Sequence, residues 1–568
     1  MPIQPLKCEI ACLLSEATKI FADFNTKQCF NSSLLQIVED VEKEVQISLG
    51  LLIFHRVVTN ALWVSGSGDP VKLYAARINY HQAALTQGGE SSSENYIVEC
   101  LTSIQYEALA KCFLDLGSAF IRNMNYPEAL QANQRALDIT KRFLGEEHES
   151  TADSYRQLGV SQYNMHDYNS ALQSHKRALA IRIKLFGDKH ESTADCYVEL
   201  GAIQHSMKDF DSAFQSQQRA LDIRIKNLGQ EHERTAESYR QLGVTQNNLH
   251  DYKSAFQSFQ NALAIRINLF GVEHEKTAQS YRELGLVQHN LRDYKAALQS
   301  HHCALTIRIK LFGDDHESTA DSFRQLGVTQ NNLHDYKSAL QSFKNALAIR
   351  IKLFGEDHEQ TAQSYMELGL VQHNMCDYKA ALQSHYCALT IRIKLFGDDH
   401  ESTADSYRQL GITQNDLHDY NSAFQSFKCA LTIRVKLFGV DHESTADSYR
   451  QLGVAQYNID DYRSALQSQQ RALAIHIKRF GDDHKVTADS YKELGITQYS
   501  LCDYKSALQS QQRSLAICIK LFGEDHKNTA DSYSELSTTQ YRLGDYKAAL
   551  QSQRHALAIR IKLFGKYF

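Results

Sequence analysis

Ten histidines stand 42 residues apart without one slip: His148, His190, His232, His274, His316, His358, His400, His442, His484 and His526. Imidazoles in series invite metal coordination. His358-Glu359 matches the opening of a zinc-protease helix, in which a second histidine four residues on would complete the ligand pair. Ala362 holds that place, and the other copies agree. Stacked units would also separate successive imidazoles by about a helix-pair width, at roughly 10 Å per helix, too far to share an ion. The expectation is therefore no metal and no cofactor, with each histidine capping or packing on the helix that follows it. Twelve cysteines are scattered without a C-x-x-C, and Cys303, Cys387 and Cys429 recur at multiples of 42. They suggest small thiols at one helix position, in a reducing compartment. An enzyme needs one distinctive constellation, whereas this chain offers the same residues ten times over; no catalysis is expected.

Three further polar series share the 42-residue period. A base recurs as Arg156, Arg240, Arg282, Arg324, Arg408, Arg450 and Lys492, broken by Val198, Met366 and Ser534. Eight residues after it an amide recurs as Asn164, Asn248, Asn290, Asn332, Asn374 and Asn458. Gln162 and its nine equivalents, through Gln540, form an unbroken third row. Spaced amides can clamp the backbone of an extended peptide, and a basic row can attract its acidic side chains. The alternative for the bases is a solvated contact one turn back, as from Arg324 to Asp321, of small worth. Neither Arg282 nor Arg324 lies on the packing phase, so reversing their charge is expected to leave the helices intact. The glutamines sit at a packing phase and are expected to bond between helices.

These rows need elements to hold them, and the elements are helices. Among 568 residues the four prolines are Pro2, Pro5, Pro70 and Pro127, and none follows. So long a run without the main helix breaker argues for helix throughout. Each unit divides in two. Ala320, Phe323, Leu326, Gly327 and Gln330 recur at helical spacing in the first half. Asp335 opens the second, with an Asp at this place in all ten clean copies, where its carboxylate can cap free amides. The apolar face then runs Tyr336, Ala339, Leu340, Phe343, Ala346, Leu347, Ile349 and Leu353, and Gly355 closes the unit. Gly327 in mid-helix, costing about 1 kcal/mol relative to alanine, predicts a close approach of the two helices. Ser537 takes that place in the last unit and predicts looser packing there.

Leu326, Gly327, Ala339 and Ala346, with Phe323 where a tryptophan often stands, resemble the tetratricopeptide (TPR) signature. Units of 42 residues bearing Ala348-Ile349-Arg350-Ile351-Lys352-Leu353-Phe354-Gly355-Glu356-Asp357-His358 are similar to the TPRs of kinesin light chains and of nephrocystin-type arrays. The chain departs from those families in showing His-Glu or His-Lys where they usually show His-Pro, and in lacking a long heptad coiled coil near its N-terminus. The resemblance implies an all-α TPR superhelical solenoid of about eleven helix-turn-helix units over 106–568, the first degenerate, with the first helices lining a concave groove. It implies a protein-protein interaction scaffold or adaptor that binds peptide segments of partner proteins, acidic ones included, in that groove.

Before the array, residues 1–86 suggest a helical, non-repeat block, and 87–105 a linker and lead-in. The apolar stretch Val45–Val64 contains His55, Arg56 and Asn60 and fits a buried helix better than a membrane span. Lys plus Arg number 61 against 66 Asp plus Glu, which offers no field for nucleic acid. No secretory signal is legible, so a cytoplasmic location is expected. An uncapped final helix pair suggests end-to-end self-association. Two other readings remain open: the ligand-sensing region of a larger signalling protein of NACHT or NB-ARC type, and a kinesin-light-chain-like cargo adaptor. No phosphate-binding G-x-x-x-x-G-K-[ST] occurs.

Overall fold

The computed structural model describes residues 95–565, with side chains from Tyr106 to Leu563. The expectations for 1–86, and for the lead-in up to residue 94, lie outside the described residues. From Asn95 the chain is already helix, in Asn95–Arg122. Helix thus covers the last part of the segment read as a lead-in. Among the described residues there are 22 helices and no strand, paired as helix-turn-helix units.

One unit explains the rest. Its opening helix, Glu317–Asn332, starts where His316 Nδ1 accepts the Ser318 amide at 3.1 Å. The same imidazole stacks on Phe312 with ring centroids 4.4 Å apart. Below it, Thr319 Oγ1 donates to the Gly313 carbonyl at 2.9 Å, so the inter-unit loop is tied to the helix that follows. The periodic histidine is a cap and a packing surface at once, which satisfies an orphan helix amide.

The helix ends at a tight turn in which His334 adopts φ of 61°. Asp335 then accepts the Ser338 amide at 3.3 Å and opens the second helix, Tyr336–Phe354. Gly355 leaves that helix with φ 85° and ψ 178°. This is a region open essentially to glycine alone, which explains a glycine at all eleven unit ends.

Within the unit the two helices touch at Gly327. A Cβ there would lie 2.9 Å from the Phe343 ring, so the missing side chain makes room for an aromatic one. In other units the opposed residue is His301 or His385 against Gly285 or Gly369. Beside this contact, Gln330 Oε1 accepts from Ser342 Oγ at 2.7 Å. The same bond recurs from Gln162 with Ser174 to Gln540 with Ser552. The unbroken glutamine row is therefore interhelical, since a buried amide must find partners. In the last unit Ser537 fits the close approach by hydrogen-bonding Gln553 at 2.8 Å; the expected loosening is met by a polar contact.

Between units the core is made of small and aliphatic side chains: Ala320, Ala339 and Ala346 are fully buried, with Leu326, Leu347 and Ile349 nearly so. Arg350 is buried among them. It donates to the Gln360 carbonyl at 3.1 Å and to Ser364 Oγ at 2.8 Å in the next unit. The recurrent Ile-Arg-Ile thus carries a cation into the seam, where it satisfies the first turn of the following helix. The stack comprises two compact bodies, residues up to Ile265 and from Arg266 onward.

Candidate protein-binding face

The opening helices hold their 16 residues on a fixed phase. Positions such as Arg324, Val328 and Asn332, four apart, therefore lie on one side of the helix. All three are half-buried.

The basic row is engaged inside the array. Arg324 reaches Asp321 on its own helix and Glu367 on the next opening helix, both at 3.3 Å. Arg156 meets Glu199 at 2.7 Å, Arg450 meets Glu493 at 2.7 Å and Asp447 at 3.3 Å, and Lys492 meets Glu535 at 3.1 Å. Arg282 approaches Asp321 at 3.7 Å, and Arg240 pairs with Glu237 one turn back at 2.6 Å. Five of the seven bases thus tie successive opening helices together. Arg324 is a seam residue as well as a surface one, contrary to the expectation that it lies off the packing phase. Arg408 differs. Gln451 stands where the acid would be, and no carboxylate pairs with it.

Burial colours these pairs. Desolvation pushes the Glu367 carboxyl up, against the pull of Arg324 and Arg350, and Glu493 is raised in the same way. Burial would lower the Lys492 ammonium, but the Glu535 carboxylate beside it outweighs that and raises it.

The amide row is also engaged, chiefly with neighbouring units. Asn248 meets His205 Nε2 at 2.6 Å and Asn332 meets His289 Nε2 at 2.7 Å. Asn374 donates to Asn331 at 3.0 Å and Asn458 to Asn415 at 2.7 Å. Asn164 returns to its own helix, at the Val160 carbonyl. Asn290 interacts with the adjacent His289. The partner of each cross-unit amide is the residue before the row position of the preceding unit. Because that partner changes between His and Asn, the sequence pattern showed no second row to pair with.

Between bases and amides runs an aliphatic row that sequence reasoning passed over: Val160, Val244, Leu286, Val328, Leu370, Ile412, Val454 and Ile496. Leu286 and Leu370 are 43% and 45% exposed, and the others are half-buried. The signal was available, since a β-branched or leucine side chain recurs midway between the two polar rows.

No group of three or more metal-ligating side chains occurs among the described residues. No helix there is long and apolar enough to cross a membrane.

The tetratricopeptide-repeat family matches the chain over residues 109–184, 161–226, 205–267, 234–301, 277–350, 330–394, 364–434, 415–478, 460–518 and 487–562. No curated protein sequence matches it. Among solved structures, BtubC (BKLC) from P. vanneervenii is 19% identical, with 40% of this chain and 92% of that one covered and a TM-score of 0.37. A Podospora anserina putative kinesin light chain with nearly identical TPR-like repeats is also 19% identical, with 36% and 98% covered and a TM-score of 0.34. The apo form of RapI is 14% identical, with 65% and 98% covered and a TM-score of 0.48. Likenesses this distant have no bearing on what this chain binds.

Proposed function

Because the chain belongs to the tetratricopeptide-repeat family, a family of protein-interaction scaffolds, we propose that its opening-helix face holds extended segments of partner proteins, as a non-catalytic adaptor. One observation supports this above the others. Leu286 and Leu370 stay open to solvent on a face whose charges and amides are almost all engaged within the array. An open aliphatic side chain on a face whose polar groups are satisfied is what an apolar anchor of a partner needs.

In this reading the partner is held by apolar side chains that meet one aliphatic position per unit. The ion-paired bases form a rim that excludes water and sets alignment, so acidic character in the partner contributes little over most of the row. Short random peptides displayed for selection against the full chain test the idea. Leu286→Glu and Leu370→Glu should each abolish capture of the selected peptides while circular dichroism stays unchanged. If both variants bind as the parent does, the binding surface lies on another face.

A further inference from the structure

The inter-unit pairing on this face has two gaps, and they are of opposite sign. At the acid positions the carboxylates find cations. Asp405 takes Arg434 at 2.6 Å, Asp531 takes Arg560 at 3.0 Å, and Asp447 takes Arg450 at 3.3 Å. Asp405 and Asp531 rely on an arginine of the second helix 29 residues on. For Asp489 that place is Cys518, whose sulfur instead accepts from Ser532 Oγ at 3.7 Å. The nearest base, Lys492, has its ammonium on Glu535. Asp489 is left half-buried without an ion pair. Arg408 is the converse case, a half-buried guanidinium whose cross-unit position is Gln451 where Arg450 has Glu493 and Arg324 has Glu367.

Both gaps lie in the body that runs from Arg266 onward, two units apart. Opening helices that bond directly to one another stack roughly 10 Å apart. Two steps therefore span about 20 Å, which an extended chain covers in about six residues at roughly 3.3 Å each. Ile412 and Val454 of the aliphatic row lie in the first two of the three units concerned. A half-buried charge left unpaired is costly and gains most from an incoming counter-charge.

We propose that this face takes an extended segment of mixed charge. A carboxylate side chain of the partner pairs with Arg408, and about six residues along a cationic side chain pairs with Asp489. The two gaps fix the register and direction of the segment, which the repetitive aliphatic row cannot do, because a shift by one unit would look the same to it. The inference rests on the opening-helix face being the binding face.

Peptide selection against the full chain tests it, with variants that fill the gaps from within. Gln451→Glu should capture Arg408 as Glu493 captures Arg450, and Cys518→Arg should capture Asp489 as Arg560 captures Asp531. The parent should select peptides that carry an acid and a base at this spacing. Gln451→Glu should lose only the acid preference and Cys518→Arg only the base preference. Each should weaken a parent-selected peptide about five- to tenfold, and neutralising the matching residue of that peptide should then have no further effect. Arg408→Gln and Asp489→Asn should reproduce these losses and keep full helix content, so a misfolded filling variant would not decide the matter. Peptides whose charge content is the same for parent and all variants would overturn this inference alone. Failure to select any peptide would overturn the binding-face reading and this inference with it.

Discussion

The unit at 316–355 and the last described unit, at 526–565, have nearly the same sequence in their second helices, yet those helices live in different surroundings. Leu347 is 8% exposed, and its equivalent Leu557 is 51% exposed. Leu550 and Ile561 are open too, whereas Leu340 and Ile351 are half-buried. The helices form alike, with an aspartate cap, the same 19 residues and a positive-φ glycine at the end. Local structure is thus encoded unit by unit, while burial comes from the opening helix of the next unit. Such an array is a sum of units and nearest-neighbour seams.

The sharpest break of this comparison is a cavity. Leu347→Ala should destabilise by about 2–5 kcal/mol, and Leu557→Ala by less than about 1 kcal/mol, because little surface is uncovered there. Urea melts of both variants measure this, and equal losses would contradict the nearest-neighbour account. Next comes the residue opposite the mid-helix glycine. The last unit has Gln553, the unit at 316–355 has Phe343, and two interior units have His301 and His385, each held by burial at a pKa of about 4. A histidine depressed below its unfolded value near 6.5 stays neutral in the fold. The stability it confers is complete above pH 6.5 and drains away as pH falls from there toward 4. The loss approaches about 3 kcal/mol for each residue. Replacing both by phenylalanine, as at Phe343, should remove that acid sensitivity, as seen in helix content measured from pH 7 to 4.

Smaller effects separate the units further. Gly327→Ala drives a methyl into the Phe343 ring and should cost about 1–3 kcal/mol despite better helix propensity. Ser537→Ala removes a hydroxyl shared between the Gln553 amide oxygen and the Ser534 carbonyl and should cost about 1 kcal/mol. The least effect concerns the turn between helices, where Gly544 holds φ of 83° in the last unit and Lys208 holds 61° in an interior one. Lys208→Gly should stabilise by up to about 1 kcal/mol, since a side chain is strained there, and Gly544→Ala should cost a similar amount. Thermal melts that rank the pair the other way would mean the lysine is tied down by contacts that offset the strain.

Much of this was legible beforehand because repetition multiplies weak signals. The histidine spacing set the unit length, Asp335 and Gly355 marked where helices start and stop, and Gly327 announced the close approach. The glutamine row bonds between helices as expected, but the cross-unit engagement of the basic and amide rows was not foreseen. Read along the chain, Arg324 pairs with Asp321 on its own helix, yet it also bridges to Glu367, 43 residues away. That distance is one repeat plus one residue, an offset set by how successive opening helices lean on each other, and no local pattern reveals it.

The sequence by itself determined the helices, their caps, their pairing and the number of units. These depend on interactions within a few residues, or between two helices joined by a short turn. Only the tertiary structure decided which charges are already neutralised, which amides are already bonded and which aliphatic side chains stay open. Those properties arise between units, where the identity of a facing residue, such as Gln451 rather than Glu opposite Arg408, converts a structural ion pair into an unpaired, half-buried charge.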